Sequence, residues 1–203
     1  PETEIEDAWH SGEPPYTAFF NWLEGQGERP ASSSSPRWRS FMLAHPATLE
    51  ELSKLDPNDF VAEWKWDGIR VQVVADSNTT TLYSRTGEDI TGSFPELKMP
   101  AGFVGVIDGE LLARRSDMER LAPGTFNDLQ QRLNRKAPPQ KLIEGSPVFV
   151  RAYDLLQTGE QDMRSQTTME RRQALVDVLS AVRPDFMDAS EHIEFGQFEA
   201  LDR

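Results

Sequence analysis

Apolar and polar residues follow regular patterns along most of the chain beyond residue 40, and these patterns predict several strands. Alternation with a period of two predicts strands over residues 69–75 and 80–84. Longer apolar stretches predict strands over residues 103–113 and 147–156, and the second is apolar enough to lie inside a sheet. A further strand is predicted over residues 60–66.

Helical spacing of apolar residues predicts helices elsewhere in the same region. Residues 126–135 place their apolar side chains on one face, and a longer helix follows Thr167. The apolar stripe of this longer helix consists of Leu175, Val178, Leu179 and Val182. Two pairs match the capping box that begins a helix, Thr48 with Glu51 and Thr167 with Glu170.

The beginning of the chain differs in composition from the rest. Residues 16–23 suit one face of a short helix that Gly25 would end. Residues 27–37 are rich in serine and proline, which predicts a linker, and a long surface loop within one domain is the alternative. We therefore expect residues 1–26 to be the end of a preceding segment and residues 38–203 to form one domain.

Composition narrows the class of protein. The 203 residues include no cysteine, which excludes a disulfide framework and a thiolate metal site. The three histidines have no ligand spacing, and the acidic segment 2–7 is expected to be solvated surface. Without a long apolar run or a signal peptide, a soluble, cytoplasmic protein is expected. The net charge of −13 is unfavourable for binding nucleic-acid phosphates, which normally requires a basic surface.

One stretch at the start of the predicted sheet carries the clearest chemistry. It runs from Glu63 to Arg70 with the sequence EWKWDGIR. Lys65 lies between two tryptophans and is followed by an Asp-Gly turn. A lysine in this position is either a surface residue with a partly buried stem or an amine held at the mouth of a pocket.

The pattern Lys-x-Asp-Gly-x-Arg in this stretch resembles the nucleophile motif of the covalent nucleotidyltransferases, which comprise DNA ligases, RNA ligases and mRNA capping enzymes. In that family the lysine, here Lys65, attacks the α-phosphate of a nucleoside triphosphate and carries the nucleotide as a phosphoramidate. An amine must be unprotonated to attack, so its neighbours must favour the neutral form. Gly68, which lacks a Cβ, would let the backbone approach the nucleotide, and Arg70 offers planar donors for ribose or phosphate oxygens.

Two further elements of the family follow in the expected order. Ser84–Glu88 by itself is an ordinary hairpin turn with a solvated arginine, but the resemblance assigns Arg85 to the binding of nucleotide or of a DNA 5′-phosphate. The stretch 108–110, Asp-Gly-Glu, is compatible with a bulge in an edge strand that leaves both acids in water. The resemblance instead makes Glu110 the carboxylate of an ATP–Mg²⁺ site.

The last elements concern the base of the nucleotide. A tyrosine at the end of a strand is usually a core residue, but the family places an aromatic residue before an aspartate here, commonly phenylalanine. The resemblance therefore implies that Tyr153 stacks on adenine. Glu63 matches the position that contacts the edge of adenine. Taken together, these elements resemble the adenylation domain of a bacterial ATP-dependent DNA ligase.

This resemblance implies an α+β fold of the nucleotidyltransferase (ATP-grasp-like) type, with antiparallel sheets flanked by helices and a short helical N-terminal segment. Residues 1–26 would be the end of a helical DNA-binding domain, residues 27–37 a linker and residues 38–203 the adenylation domain. ATP and Mg²⁺, with Mn²⁺ able to substitute, would be the cofactors, and nicked duplex DNA the partner of the full-length protein. A cytoplasmic monomer that serves DNA replication, repair or recombination is expected.

The implied reaction has three steps. Lys65 takes AMP from ATP, the AMP passes to the 5′-phosphate at a nick, and the 3′-hydroxyl then seals the strand. The family's further Glu-Gly and Lys-x-Lys elements and its OB-fold do not appear before residue 203, so we expect an engineered or proteolysed fragment that self-adenylates poorly or not at all. The alternatives are an mRNA capping guanylyltransferase, an RNA ligase or a non-catalytic nucleotide-binding module.

Overall fold

The contacts within the chain divide it into two compact units. The computed structural model describes residues 2–12, 14–30, 35–115, 117, 121–133 and 135–201. The first unit, here called the sheet unit, comprises residues 1–40 and 67–189. The second, here called the small unit, comprises residues 41–66 and 190–203. Each unit is therefore assembled from two separate stretches of sequence.

The described residues form both helices and strands. In chain order they are α1 (Glu2–Ser11), α2 (Thr17–Leu23), α3 (Leu49–Leu52), β1 (Ala62–Glu63), β2 (Ile69–Asp76), β3 (Thr79–Ser84), β4 (Val104–Ala113), α4 (Phe126–Gln130), α5 (Gln140–Gly145), β5 (Val148–Thr158), β6 (Gln161–Asp162), α6 (Thr168–Val182), β7 (Met187–Ala189) and β8 (His192–Ile193). Short 3₁₀ turns lie at Pro57–Asp59, Thr91–Ser93 and Phe198–Leu201. None of the helices in the described part of the chain has the length and apolar character needed to cross a membrane.

A twisted sheet in the order β3-β2-β4-β5-β6 forms the centre of the sheet unit, and β7 lies beside β5. The strands on this path pair antiparallel, as predicted, whereas β7 pairs with β5 in parallel. The long apolar stretches become β4 and β5, which each have neighbours on both sides. The alternative interpretation of residues 108–110 as part of an edge strand is therefore wrong.

Helix α6 covers one face of this sheet. The predicted stripe Leu175, Val178, Leu179 and Val182 packs against a core of buried strand residues that includes Val73, Ile107 and Val150. The predicted capping box also forms, because the Thr167 hydroxyl accepts from the Glu170 N–H and the Glu170 carboxylate accepts from the Thr167 N–H at 2.8 Å. These local signals place α6 and the sheet as the sequence predicts.

Two elements are shorter than predicted. Of residues 60–66, Ala62–Glu63 alone form a strand, because β1 pairs with β8 from the far end of the chain and β8 has two residues. The predicted helix over residues 126–135 ends at Gln130, where the N–H of Arg132 bonds to the carbonyl three residues back and tightens the backbone. Asn134 of that prediction lies outside the described residues.

The beginning of the chain forms two helices. The predicted helix is α2, and Gly25 ends it with a φ of +71°. The acidic segment 2–7 lies in α1, where Glu4 and Glu6 are exposed, as expected of a solvated surface, and Asp7 accepts a hydrogen bond from the Ser40 N–H at 3.1 Å. A linker over residues 27–37 stays a prediction, because four of its residues lie outside the described part. The contacts within the chain assign residues 1–40 to the sheet unit.

Candidate functional site

The sheet unit brings three of the predicted residues together where β2, β4 and β5 run side by side. Arg70 of β2 is directly paired with Glu110 of β4. The guanidinium carbon of Arg70 lies 5.7 Å from the centroid of the Tyr153 ring of β5. A donor, a carboxylate and an aromatic ring therefore converge on one region of the sheet.

Asp108, which sequence reasoning did not assign to the site, holds Arg70 in place. Arg70 donates to both oxygens of Asp108, from Nη2 at 2.6 Å and from Nε at 3.3 Å. Burial raises the pKa of Asp108 to about 6, although the hydrogen bond and charge of Arg70 oppose that rise. Burial lowers the pKa of Arg70, but Asp108 raises it by more, so the guanidinium stays charged.

The sequence does contain a signal for the Arg70–Asp108 pair. Asp108 and Glu110 are two residues apart on a strand, so they lie on the same face of the sheet. A carboxylate inside an apolar strand needs a cation or donors nearby, and Arg70 is the basic residue of the neighbouring strand. The sequence did not show that β2 and β4 are neighbours, so the pairing could not be inferred.

Tyr153 and Asp154 are neighbours on β5 at a shift in the β4–β5 register, and their side chains meet different partners. Burial raises the pKa of Tyr153, so its phenol stays neutral and keeps its proton. Asp154 accepts two hydrogen bonds from Arg171 of α6, at 2.7 and 3.0 Å. The aspartate therefore fixes the strand to the helix, while the tyrosine faces Arg70.

Gly68 meets a steric requirement within the protein. A Cβ at Gly68 would overlap the backbone oxygen of Leu111 and lie 2.8 Å from Leu112 Cδ2. Glycine therefore allows the start of β2 to approach β4. Sequence reasoning had attributed this glycine to an approach to the nucleotide, and that role remains a prediction.

Arg85 lies just beyond the end of β3. Ser84 pairs with Val71, so Arg85 comes at the same end of the sheet as Arg70. Its side chain is exposed, in a turn where Gly87 has a φ of +79°. The turn is that of an ordinary hairpin loop with an exposed arginine, and the role of Arg85 in binding a phosphate remains a prediction.

The small unit holds the other two predicted residues. Glu63 is on β1, and Lys65 follows it with an exposed side chain. Both line a cavity of about 570 Å³ whose walls include Phe60, Phe195 and Phe198. The aromatic wall was not predicted, because two of the three phenylalanines lie far along the chain from Lys65.

The two tryptophans beside Lys65 have unlike environments. Trp64 is 62% exposed, whereas Trp66 is half-buried and its Nε1–H donates to the Ser190 hydroxyl at 3.0 Å. The residue that follows the lysine is therefore held by a hydrogen bond within the small unit.

The predicted metal role of Glu110 is compatible with its surroundings. In the described parts of the chain, no group of three or more histidine, aspartate or glutamate residues is placed to hold a metal ion. Magnesium bound with a nucleotide commonly uses one or two protein carboxylates and takes its other ligands from phosphates and water. Glu110 fits that pattern, and its role as a ligand remains a prediction.

Known proteins resemble this chain in both sequence and fold. A model of the ATP dependent DNA ligase domain matches residues 41–203. A "Probable DNA ligase" of Anaeromyxobacter sp. (strain Fw109-5) is 35% identical over 139 residues, 66% of this chain and 26% of that protein. A "Probable DNA ligase" of Koribacter versatilis (strain Ellin345) is 34% identical over 156 residues, 75% of this chain and 26% of that protein. The chain spans about a quarter of the length of these relatives.

Solved structures show the same fold. The ligase domain of LigD from M. tuberculosis matches with a TM-score of 0.58 and 24% identity, covering 74% of this chain and 46% of that chain. A mycobacterial DNA ligase D complexed with ATP and MES matches with a TM-score of 0.53 and 25% identity, covering 70% and 42%. These matches confirm the predicted α+β nucleotidyltransferase fold. Since the family model covers most of the sequence, the chain belongs to the ATP-dependent DNA ligase domain family.

Proposed function

We propose that the chain is the nucleotide-binding part of an ATP-dependent DNA ligase and that Lys65 carries the adenylate. The observation that carries this proposal is the Lys-x-Asp-Gly-x-Arg motif, which lies inside the region that matches the ligase family. Its arginine, Arg70, is held beside Glu110 and Tyr153.

In the first step, the lone pair of Lys65 Nζ attacks the α-phosphorus of ATP. The bond from that phosphorus to the oxygen that bridges the α- and β-phosphates breaks, pyrophosphate leaves with the electron pair, and the amine loses a proton. The exposed amine at the cavity gives this nucleophile access to a ligand. The product is a lysyl-AMP phosphoramidate.

The residues of the sheet unit provide binding and orientation. The neutral ring of Tyr153 offers a face for stacking on adenine. Arg70, fixed by Asp108, would orient its guanidinium for ribose or phosphate oxygens. Glu110 would hold Mg²⁺, for which Mn²⁺ can substitute, and the ion would neutralise phosphate charge when bound.

The full-length protein would complete the reaction on nicked duplex DNA. AMP passes from Lys65 to the 5′-phosphate, which forms a new pyrophosphate linkage, and the 3′-hydroxyl then displaces AMP to seal the strand. The exposed Arg85 is placed to bind a phosphate. We propose that this monomeric enzyme acts in the cytoplasm in DNA replication, repair or recombination, with basic DNA-binding surfaces outside this acidic chain.

Extended incubation with α-labelled ATP and Mg²⁺ tests the proposal, with intact mass as a second readout because self-adenylation is expected to be slow. We expect an AMP adduct on Lys65 that disappears in Lys65→Ala. Lys54→Ala is the matched control, since Lys54 is an exposed lysine of the same unit paired with Glu50. An adduct that persists in Lys65→Ala, or the absence of an adduct on Lys65 in the full-length protein, would overturn the proposal.

The nucleotide and nucleic acid used separate the alternatives. Labelling by GTP instead of ATP would indicate a capping guanylyltransferase. Sealing of nicked RNA in preference to nicked DNA by the full-length protein would indicate an RNA ligase. ATP binding by the full-length protein without covalent transfer would indicate a non-catalytic module. The family match favours the DNA ligase.

A further inference from the structure

We propose that residues 190–193 are a positioning element for the nucleophile, and that His192 sets the preference for adenine through Glu63. This inference rests on the proposed function, which it deepens. The segment belongs to none of the motifs that identified the family. It supplies two side-chain contacts and one strand pairing to the stretch that carries Lys65.

The first contact lies on the C-terminal side of the nucleophile. Trp66 Nε1–H donates to the hydroxyl of Ser190 at 3.0 Å. Ser190 is fully buried, so this hydrogen bond forms away from bulk water, where losing a hydrogen bond is costly. The contact therefore restrains the indole and, with it, the backbone that follows Lys65.

The second contact lies on the N-terminal side. His192 Nε2 is 3.1 Å from Glu63 Oε1, and the two side chains are about a quarter exposed. Glu63 and His192 are also direct partners in the β1–β8 pairing. The imidazole therefore restrains the rotation of the carboxylate, and the two contacts of the segment flank Lys65 on either side.

A fixed carboxylate at Glu63 can distinguish purine bases. Adenine carries an exocyclic amino group that donates to a carboxylate, whereas guanine carries an oxygen acceptor at the same position. Two acceptors facing each other repel, so a carboxylate held in one orientation favours ATP over GTP. A freely rotating carboxylate gives less discrimination, because it can turn away from the wrong base.

The contact between His192 Nε2 and Glu63 Oε1 defines the variants for the test. His192→Leu removes the polar group that faces Glu63, whereas His192→Gln keeps a polar side chain with N–H groups that can reach the carboxylate. Glu191→Gln changes the exposed neighbouring residue and serves as the control. Circular dichroism of each variant confirms that it folds.

Equilibrium binding of ATP and of GTP, followed by tryptophan fluorescence, measures the effect. We expect His192→Leu to lower the preference for ATP over GTP about tenfold, through weaker ATP binding and stronger GTP binding, which is the size expected for one hydrogen bond to a charged group. His192→Gln should restore most of the preference for ATP, and Glu191→Gln should retain all of it.

Three outcomes discriminate between the hypotheses. Equal ATP preference in the wild-type chain and His192→Leu would overturn the role of His192 and leave the proposed function intact. An equal loss in His192→Gln and His192→Leu would show a packing role in place of positioning through the N–H group, and would overturn it too. A wild-type chain that binds neither nucleotide would overturn the proposed function together with this inference.

The contact at Trp66 has an independent readout without nucleotide. Ser190→Ala should shift the indole N–H resonance of Trp66 in an NMR spectrum and lower the yield of adenylated Lys65. Ser53→Ala is the control, because the Ser53 hydroxyl bonds to a backbone carbonyl in the same unit. An unchanged Trp66 resonance in Ser190→Ala would overturn the positioning role of Ser190.

Discussion

The sheet unit and the small unit differ in how much of their structure is buried. Strands of ten and eleven residues cross the middle of the sheet unit, and many of their apolar residues belong to one core, while Val106 and Leu156 belong to a second, smaller cluster. In the described part of the small unit, Ser190 and Phe198 are the buried residues, and its strands have two residues each. Its exposed apolar side chains include Leu49, Leu55, Phe60, Val61 and Trp64.

This difference matters for the candidate site. Arg70, Asp108 and Tyr153 are held by a packed sheet, so their geometry is set by many small contacts at once. Lys65 lies in the small unit, where a few polar contacts set the geometry of the side chains. Single side chains such as Ser190 should therefore matter more there than similar residues on the sheet.

The largest expected difference in stability between the units comes from replacing one phenylalanine of each unit by alanine. Phe149→Ala in β5 removes a fully buried ring and should lower the free energy of unfolding by about 3–5 kcal/mol. Phe60→Ala removes a ring that is 41% exposed and should cost only about 1 kcal/mol. Urea denaturation measures both values. Equal losses would contradict the comparison.

A matched pair of glycines gives the next largest effect. Gly68→Ala should cost about 1–3 kcal/mol, because the added Cβ meets the backbone of β4, which cannot move away. Gly145→Ala at the end of α5 meets nothing within 4 Å and should be neutral or slightly stabilising. Thermal unfolding of the two variants tests this pair. A tolerated Gly68→Ala would show that the start of β2 is loosely held.

The two predicted capping boxes, at Thr48 and Thr167, have the same local geometry but lie in different units. Thr167→Ala should cost about 1 kcal/mol, because it exposes the start of a helix that packs on the sheet. Thr48→Ala should cost clearly less, since α3 has four residues and none of them is buried. Chemical denaturation compares them. A larger loss for Thr48 would mean that α3 supports the small unit more than its burial suggests.

The smallest expected effect is the contribution of Asp108 to the pH dependence of stability. The carboxyl carbon of Asp108 should titrate in an NMR experiment with a midpoint of about 6, above the usual 3.8, because of burial. A folded-state pKa above the unfolded value means that the contribution of Asp108 to stability is complete below pH ~4 and is lost as the pH rises through about 6. Asp108→Asn should remove this part of the pH dependence. A midpoint near 3.8 would show that Arg70 outweighs burial.

The sequence predicted those features that depend on neighbours along the chain. Strand alternation, the stripe of α6 and the capping boxes at Thr48 and Thr167 are set by residues a few positions apart, and all of them formed. The residue types at Lys65 and Arg70 were visible for the same reason. The structure adds where each side chain lies.

Other features depend on contacts between distant residues and could not be predicted. The pairing of Ala62 with Ile193 shortens β1, and no local pattern near residue 62 indicates its partner. The Arg70–Asp108 pair requires that β2 and β4 be neighbours. The steric reason for Gly68 likewise appears only once Leu111 is placed against it.

The small unit is built from two stretches that the sheet unit separates in sequence. During synthesis, the backbone that bears Lys65 therefore emerges long before Ser190 and His192, the residues that restrain it. The proposed adenylate acceptor would therefore gain these two neighbouring contacts only after residues 190–193 have been made. A product that ended at residue 189 would contain Arg70, Asp108 and Glu110 but neither of these contacts.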